Sequence, residues 1–266
     1  MNIPIVRRVL EKNDAAAAQN RALFDRLGVR CINLLGGAGC GKTSLLEAAL
    51  PRLIERLRLV VLEGDLATTL DAERIAALGV PAVQLTTEGG CHLTAAHVQK
   101  AIGSLNLDAA DLLLIENVGN PICPANFDLG EHVRIAVLSV AEGHDKPSKY
   151  PLLFRGARLV ILSKCDLMPY VDFDVKRFRR DLERINPRVD VIETSARSGA
   201  GIDRLASWLA GTIAHAGTWR TASGSSGSPS LPIEPVVTPL SRTHLMRAGQ
   251  DVGLAYGLVA PVVRRK

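Results

Sequence analysis

Gly36-Gly37-Ala38-Gly39-Cys40-Gly41-Lys42-Thr43 stands between the apolar run Arg30-Cys31-Ile32-Asn33-Leu34-Leu35 and a segment of helical periodicity over 43–57. It fulfils the pattern G-x-x-x-x-G-K-[ST], in which each position has a physical task. Glycine lets the backbone turn its N–H groups toward phosphate oxygens where a Cβ would obstruct them. Lys42 supplies a point charge for the β- and γ-phosphates, and the Thr43 hydroxyl ligates Mg²⁺. A strand before the loop and a helix after it set the positive end of the helix dipole against the phosphates. Residues 36–43, with Ser44 following, are expected to bind a nucleoside triphosphate, and Lys42 to be needed for its hydrolysis.

Outward from this loop, short and nearly all-apolar segments recur at 59–62, 82–85, 112–115, 133–140, 157–163 and 189–193. Helical patterns at 69–78, 93–105, 174–185 and 202–214 separate most of them. This alternation predicts an α/β P-loop NTPase whose doubly wound, mostly parallel sheet carries helices on both faces. Such a domain accounts for residues 28–216, and 1–27 reads as a helix in front of it with Gly28 as C-cap. Beyond residue 216 the composition changes to Thr221-Ala222-Ser223-Gly224-Ser225-Ser226-Gly227-Ser228-Pro229-Ser230, which is that of a flexible linker. The whole segment 217–266 has few periodic apolar positions and is expected to be a largely disordered basic tail.

Charge and cysteine usage exclude several classes. The net charge of +5 invites a nucleic-acid reading. Yet 217–266 holds Arg220, Arg242, Arg247, Arg264, Arg265 and Lys266 against only Glu234 and Asp251, so the body of the chain is close to neutral. No basic face across the folded part is indicated, and no nucleic-acid partner is expected. The amino-terminal ten residues lack the apolar core of a secretory signal, and 252–263 is too short and too glycine-rich to cross a bilayer. A cytoplasmic protein without membrane contact is expected. Five cysteines, an odd number, then argue for thiols or metal ligands rather than disulfides.

Ser163-Lys164-Cys165-Asp166 closes a predicted strand, where open α/β sheets place ligand-binding residues. It varies the N-K-x-D box: a carboxylate at Asp166 accepts from the ring N–H and the exocyclic amine of guanine, and the Lys164 stem lies along the base. Thr194-Ser195-Ala196 ends the next strand and supplies the element, Ser195 and Ala196, whose backbone meets the guanine carbonyl. Guanine is therefore favoured over adenine, and GTP over ATP. Ser163 replaces the usual Asn, and its shorter side chain is expected to loosen a tie to the phosphate loop. Hydrolysis requires Mg²⁺ and a positioned water. Among acids at strand ends, Asp65 and Glu116 are expected to complete the Mg²⁺ shell with Thr43. Asp71 is a candidate for orienting the water, or it merely favours a helix N-terminus. No glutamine stands ready for that role, so turnover is expected to be slow.

Gly90-Cys91-His92 follows one predicted strand, and Cys123 lies in the loop after another, in Gly119-Asn120-Pro121-Ile122-Cys123-Pro124. Thiolate with imidazole suits Ni²⁺ and Zn²⁺. Three ligands leave a tetrahedral or square-planar shell incomplete, so water or a second copy of the chain completes it, which makes a symmetric homodimer attractive.

Together these segments closely resemble the HypB family, GTPases that help insert nickel into [NiFe] hydrogenases. The resemblance spans about Val9 to Leu209 and includes Asn33-Leu34, Glu63-Gly64-Asp65, Asp71-Ala72-Glu73-Arg74-Ile75 and Gly90-Cys91-His92-Leu93. It continues through Ile115-Glu116-Asn117-Val118-Gly119-Asn120, residues 123–132 from Cys123-Pro124 to Glu131-His132, Glu142-Gly143, Asp145-Lys146-Pro147 and Lys149-Tyr150-Pro151. The resemblance implies a SIMIBI-class G domain that dimerises with nucleotide, with Cys91, His92 and Cys123 as Ni²⁺/Zn²⁺ ligands at or near the dimer interface. It implies as partners a HypA-type nickel chaperone and the hydrogenase large subunit precursor. The Cys-x-x-Cys-Gly-Cys nickel site and the His-rich stretch of some members are missing, so nickel storage is not implied. The tail from about Gly217 has no counterpart in it. Rival readings are a urease-type nickel GTPase, whose members usually carry Cys-Pro-His where this chain has Cys91-His92, a regulatory GTP-binding module without metal transfer, and an ATP-dependent small-molecule kinase.

Overall fold

The structure, a computed structural model, describes residues 3–65, 70–87, 90–214 and 256–259. Eight strands form one sheet: β1 (Arg30–Gly36), β2 (Leu59–Asp65), β3 (Ala82–Thr86), β4 (Leu112–Glu116), β5 (Val133–Ser139), β6 (Leu159–Ser163), β7 (Asp190–Glu193) and β8 (Tyr256–Val259). Their spatial order is β7-β6-β5-β1-β4-β2-β3-β8. β1 to β7 are parallel, and β8 joins β3 antiparallel. The mostly parallel, doubly wound sheet read from the strand–helix alternation is therefore present. The segment expected to be a largely disordered tail contributes one strand. Within 217–266, expected to be disordered, four residues form an edge strand, and the rest of that segment lies outside the described residues.

Alternation along the strands explains how both faces are covered. Ile32 and Leu34 of β1 point to one face, beneath α2 (Lys42–Leu53), α3 (Leu70–Ala76) and α8 (Ile202–Ala214). Cys31, Leu62, Leu113 and Ile115 point to the other, under α1 (Ile3–Leu27) and α4 (Ala95–Ile102). At the far half of that second face, Ala136, Leu138, Val160 and Leu162 pack against α6 (Pro151–Arg155) and α7 (Val175–Ile185). Central strands buried on both sides cannot alternate apolar with polar, which is why they read as continuous hydrophobic runs. Strand order reverses at β1, with β2 to β4 on one side and β5 to β7 on the other. The carboxyl ends of the strands at that reversal are where such sheets bind ligands.

The helices depart locally from the sequence reading in two places. The helix expected over 43–57 ends at Leu53, with Pro51 accommodated in its last turn and Ile54 N–H still donating to the Leu50 carbonyl at 3.0 Å. α5 (Lys146–Lys149) and α6 were not foreseen, since four- and five-residue helices leave no periodicity to read. Each begins with a proline in its first turn, Pro147 and Pro151, where the missing N–H costs nothing.

Candidate functional site: a phosphate cradle beside a thiolate–imidazole cluster

The phosphate loop runs from the end of β1 to the start of α2; space calls for glycine at Gly36 and backbone angle at Gly41. A Cβ on Gly36 would fall 2.6 Å from the Val137 carbonyl oxygen and 2.7 Å from Cys40 Sγ. One on Gly37 would fall 2.7 Å from Glu142 Oε1. Gly41, the N-cap of α2, has φ 99°, a left-handed angle that favours glycine. Lys42 and Thr43 open the helix and are buried, and Ser44 follows on the same turn. Burial pushes the Cys40 thiol up to about 11, so it stays a neutral filler of the loop.

The base-reading segment meets this loop directly. Lys164 adopts a left-handed backbone, φ 57°, which sends its Nζ to the Gly39 carbonyl oxygen at 2.7 Å. The expectation that Ser163 loosens the junction is corrected. Ser163 Oγ donates to the Cys40 carbonyl oxygen at 2.5 Å, so the short side chain keeps the tie. Cys165 N–H donates to the Thr194 carbonyl at 2.9 Å, joining this segment to Ser195-Ala196. Ser195 is buried, its N–H donating to the Ala200 carbonyl and its Oγ accepting from Ser198 N–H at 3.2 Å. Gly41, Ser44, Lys164, Asp166, Ala196 and Arg197 are among the residues lining a cleft of about 270 Å³ next to the phosphate loop.

Two of the acids lie side by side beneath the phosphate loop. Thr43 Oγ1 donates to Glu116 Oε1 at 2.8 Å, whereas Glu116 Oε2 is buried with no hydrogen-bond partner. Glu63 is level with Glu116 in the parallel register and is also buried, and its Oε1 is unpartnered. Glu63 is pushed well above the ordinary carboxylate range, by burial first and the neighbouring Glu116 second. Burial also raises Glu116, against the opposing charge of Lys42 and the Thr43 hydroxyl. Oxygen donors from Thr43 and Glu116, with spare lone pairs, fit a hard divalent cation such as Mg²⁺. The sequence reading placed Glu63 only in the stretch Glu63-Gly64-Asp65 and gave it no role. Strand register, which a sequence does not print, is what sets it beside Glu116. Asp65 ends β2 two residues beyond Glu63, opposite Thr86. Asp71 lies in the first turn of α3, with Arg74 Nη1 at 2.9 Å from its carboxylate.

Cys91, His92 and Cys123 come together on one protomer, their ligand atoms all within 4.8 Å of one another. Cys91 Sγ lies 3.4 Å from His92 Nδ1. The two loops are joined by Asn120, whose Nδ2 donates to the Cys91 carbonyl at 3.3 Å and whose Oδ1 accepts from Ile122 N–H at 2.9 Å. The His92 ring rests on Phe127, centroids 3.9 Å apart, and partial burial keeps the imidazole more readily neutral than in water. A neutral imidazole and two thiols suit a borderline-soft divalent ion. The other described histidines have structural partners: His97 in the capping box of α4, His132 accepting from Cys31 N–H, and His144 accepting from Asp174 N–H. His215 lies outside the described residues.

The cluster is also built onto the phosphate loop. Asn117 N–H donates to the Leu34 carbonyl at 3.0 Å. Asn120 forms a bridge with Gly36, and a Cβ on Gly119 would fall 2.8 Å from Ala38 Cα.

A sequence profile of the CobW/HypB/UreG nucleotide-binding domain matches residues 30–193. Hydrogenase maturation factor HypB of Azotobacter vinelandii is 49% identical over 205 residues, which is 77% of this chain and 68% of that protein. The crystal structure of HypB from Archaeoglobus fulgidus is similar with a TM-score of 0.72 at 36% identity, over 77% of this chain and 100% of that one. HypB from Helicobacter pylori in complex with nickel gives a TM-score of 0.74 at 33% identity, over 82% of this chain and 99% of that one. This chain belongs to the HypB family of hydrogenase maturation factors and carries its P-loop nucleotide-binding domain.

Proposed function

We propose that this chain is a GTP-hydrolysing nickel metallochaperone that assists nickel insertion into the [NiFe] hydrogenase large subunit. The observation that carries the proposal is the convergence of Cys91, His92 and Cys123 within 4.8 Å on segments that rest against the phosphate loop. Nickel is the cargo; the relative from Helicobacter pylori, named as a nickel complex, supports that choice, and the same donors accept Zn²⁺. Residues 28–216 form the GTPase domain, 1–27 an accessory helix and 217–266 a basic tail.

Within the domain, Gly36 to Ser44 hold the phosphates, and Lys164, Asp166, Ser195 and Ala196 select guanine. Thr43, Asp65 and Glu116 would hold Mg²⁺, which would supply positive charge against the phosphates. Lys42 adds to that charge, and Asp71 orients the attacking water once it leaves Arg74. Hydrolysis is slow and serves as a switch. GTP pairs two copies of the chain, and pairing completes the metal shell from a second set of ligands. A HypA-type nickel chaperone and the large subunit precursor are the partners, and the setting is the cytoplasm. Among the described residues no helix is long and apolar enough to cross a membrane.

Equilibrium dialysis of Ni²⁺ against wild type, Cys91→Ala and Cys123→Ala tests the assignment. Each substitution is expected to lower affinity sharply. Unchanged affinity in both variants would remove the assigned site and leave a G-protein without its metal function.

A further inference from the structure

We infer that α1, which precedes residues 30–193 of the nucleotide-binding domain and covers one face of its sheet, is a clamp that holds the two metal-ligand segments in register, with Asn13 and Asn20 as its positioning residues. The inference rests on the Cys91–His92–Cys123 reading above and adds to it a part that no ligand itself supplies. Asn13 and Asn20 are seven residues apart, two helical turns, and therefore share a face of α1. Both are buried, 7% and 1% exposed. Each side-chain amide spans the same gap. Asn13 Oδ1 accepts from Ala95 N–H at 2.9 Å while its Nδ2 donates to the Asp128 carbonyl at 2.7 Å. Asn20 Nδ2 donates to the Ala95 carbonyl at 2.9 Å and to the Leu129 carbonyl at 3.0 Å.

Ala95 opens α4 three residues after His92, and Asp128 follows Cys123 by five. The Ala95 N–H is one of the helix-end donors that lack a partner within the helix, so Asn13 satisfies a group that otherwise stays unpaired. Two further contacts fix the helix over the second segment. Arg21 Nη2 donates to both Asp128 carboxylate oxygens, at 2.8 and 2.9 Å, and to the Glu131 carbonyl at 3.2 Å. Gly130, with φ 92°, lets α1 approach so closely that a Cβ there would fall 2.6 Å from Asn20 Cβ. Asn120 joins the ligand loops in front, and α1 joins their continuations behind. Among the described residues, the amides of Asn13 and Asn20 bond only to residues 95, 128 and 129, none of which belongs to the phosphate loop.

Two readouts on the full-length protein test the clamp, one with metal and one without. The variants are Asn13→Ala, the double variant Asn13→Ala/Asn20→Ala, and Leu182→Ala as a remote core substitution that lowers stability without touching α1. Ni²⁺ affinity is expected to fall about tenfold or more in the double variant, the scale seen when residues behind metal ligands are removed. The rate at which diamide oxidises Cys91 and Cys123 to a disulfide, read by mass spectrometry, is expected to fall in parallel. GTP affinity, a check that the domain is folded, stays at the wild-type value. The clamp is overturned if the double variant keeps both Ni²⁺ affinity and oxidation rate, if Leu182→Ala reproduces both losses, or if GTP affinity falls alongside them. Disulfide formation that depends on the asparagines in a wild type that binds no Ni²⁺ would uphold the clamp while removing the metal reading.

Discussion

At the scale of single residues, the site depends on charges held where water does not screen them well. Lys42 is buried at the start of α2, where a charge is screened less than in open water. Lys42→Ala is predicted to lower GTP turnover by about a hundredfold or more, the scale for losing one charge-stabilising donor, while the circular dichroism spectrum stays that of wild type. Ser163 makes a smaller, separable contribution. Ser163→Ala removes the bond to the Cys40 carbonyl, and nucleotide affinity measured by fluorescence titration is predicted to weaken by about 1 kcal/mol, the net worth of one hydrogen bond. The phosphate loop was legible because its chemistry is consecutive in sequence. Cys91, His92 and Cys123 were legible as residue types, and their convergence needed the fold. Glu63 was not singled out, because its importance comes from lying level with Glu116 across two strands. The Ser163 tie was misread because a motif states which side chain is usual, not how close the backbone approaches when a shorter one is present.

At the scale of elements, α1 and the sheet behave differently. The strands were legible from continuous apolar runs, and their burial makes them costly to truncate. Leu114→Ala, in fully buried β4, is predicted to reduce unfolding free energy by about 2–5 kcal/mol in urea titrations. The docking of α1 was not legible, since its amphipathic pattern states that a face is buried but not which loops it spans. That docking carries a pH signature. Burial alone would raise the Asp128 carboxyl, but the Arg21 guanidinium and the Gly130 N–H outweigh it and hold Asp128 below its ordinary value of 3.8. A depressed carboxylate stabilises the folded state fully above the unfolded value and loses that contribution as pH falls through the folded one. α1 protection in hydrogen exchange is therefore predicted to hold from neutrality down to about pH 4 and to weaken below it. In Arg21→Met the protection is expected to be weaker already at neutral pH. The short helices α5 and α6 and the edge strand β8 were missed for a common reason: four or five residues are too few to show a period.

For the whole molecule, what matters is that two sites of different chemistry share one structural seam. β4 leads from Glu116, bonded to Thr43, through Asn117 and Gly119 packed on Ala38, to Asn120 and Cys123. The phosphate loop and the thiol-bearing loop are therefore in direct contact, at Gly119 against Ala38 and at Asn120 beside Gly36. Coupling between two binding sites is reciprocal, so the factor by which GTP changes Ni²⁺ affinity must equal the factor by which Ni²⁺ changes GTP affinity. The decisive measurement is that pair of titrations, Ni²⁺ with and without a non-hydrolysable GTP analogue and the analogue with and without Ni²⁺, on wild type and Cys91→Ala. The account predicts equal factors of about fivefold or more in wild type and none in the variant. Ni²⁺ affinity indifferent to nucleotide in the wild type would contradict it.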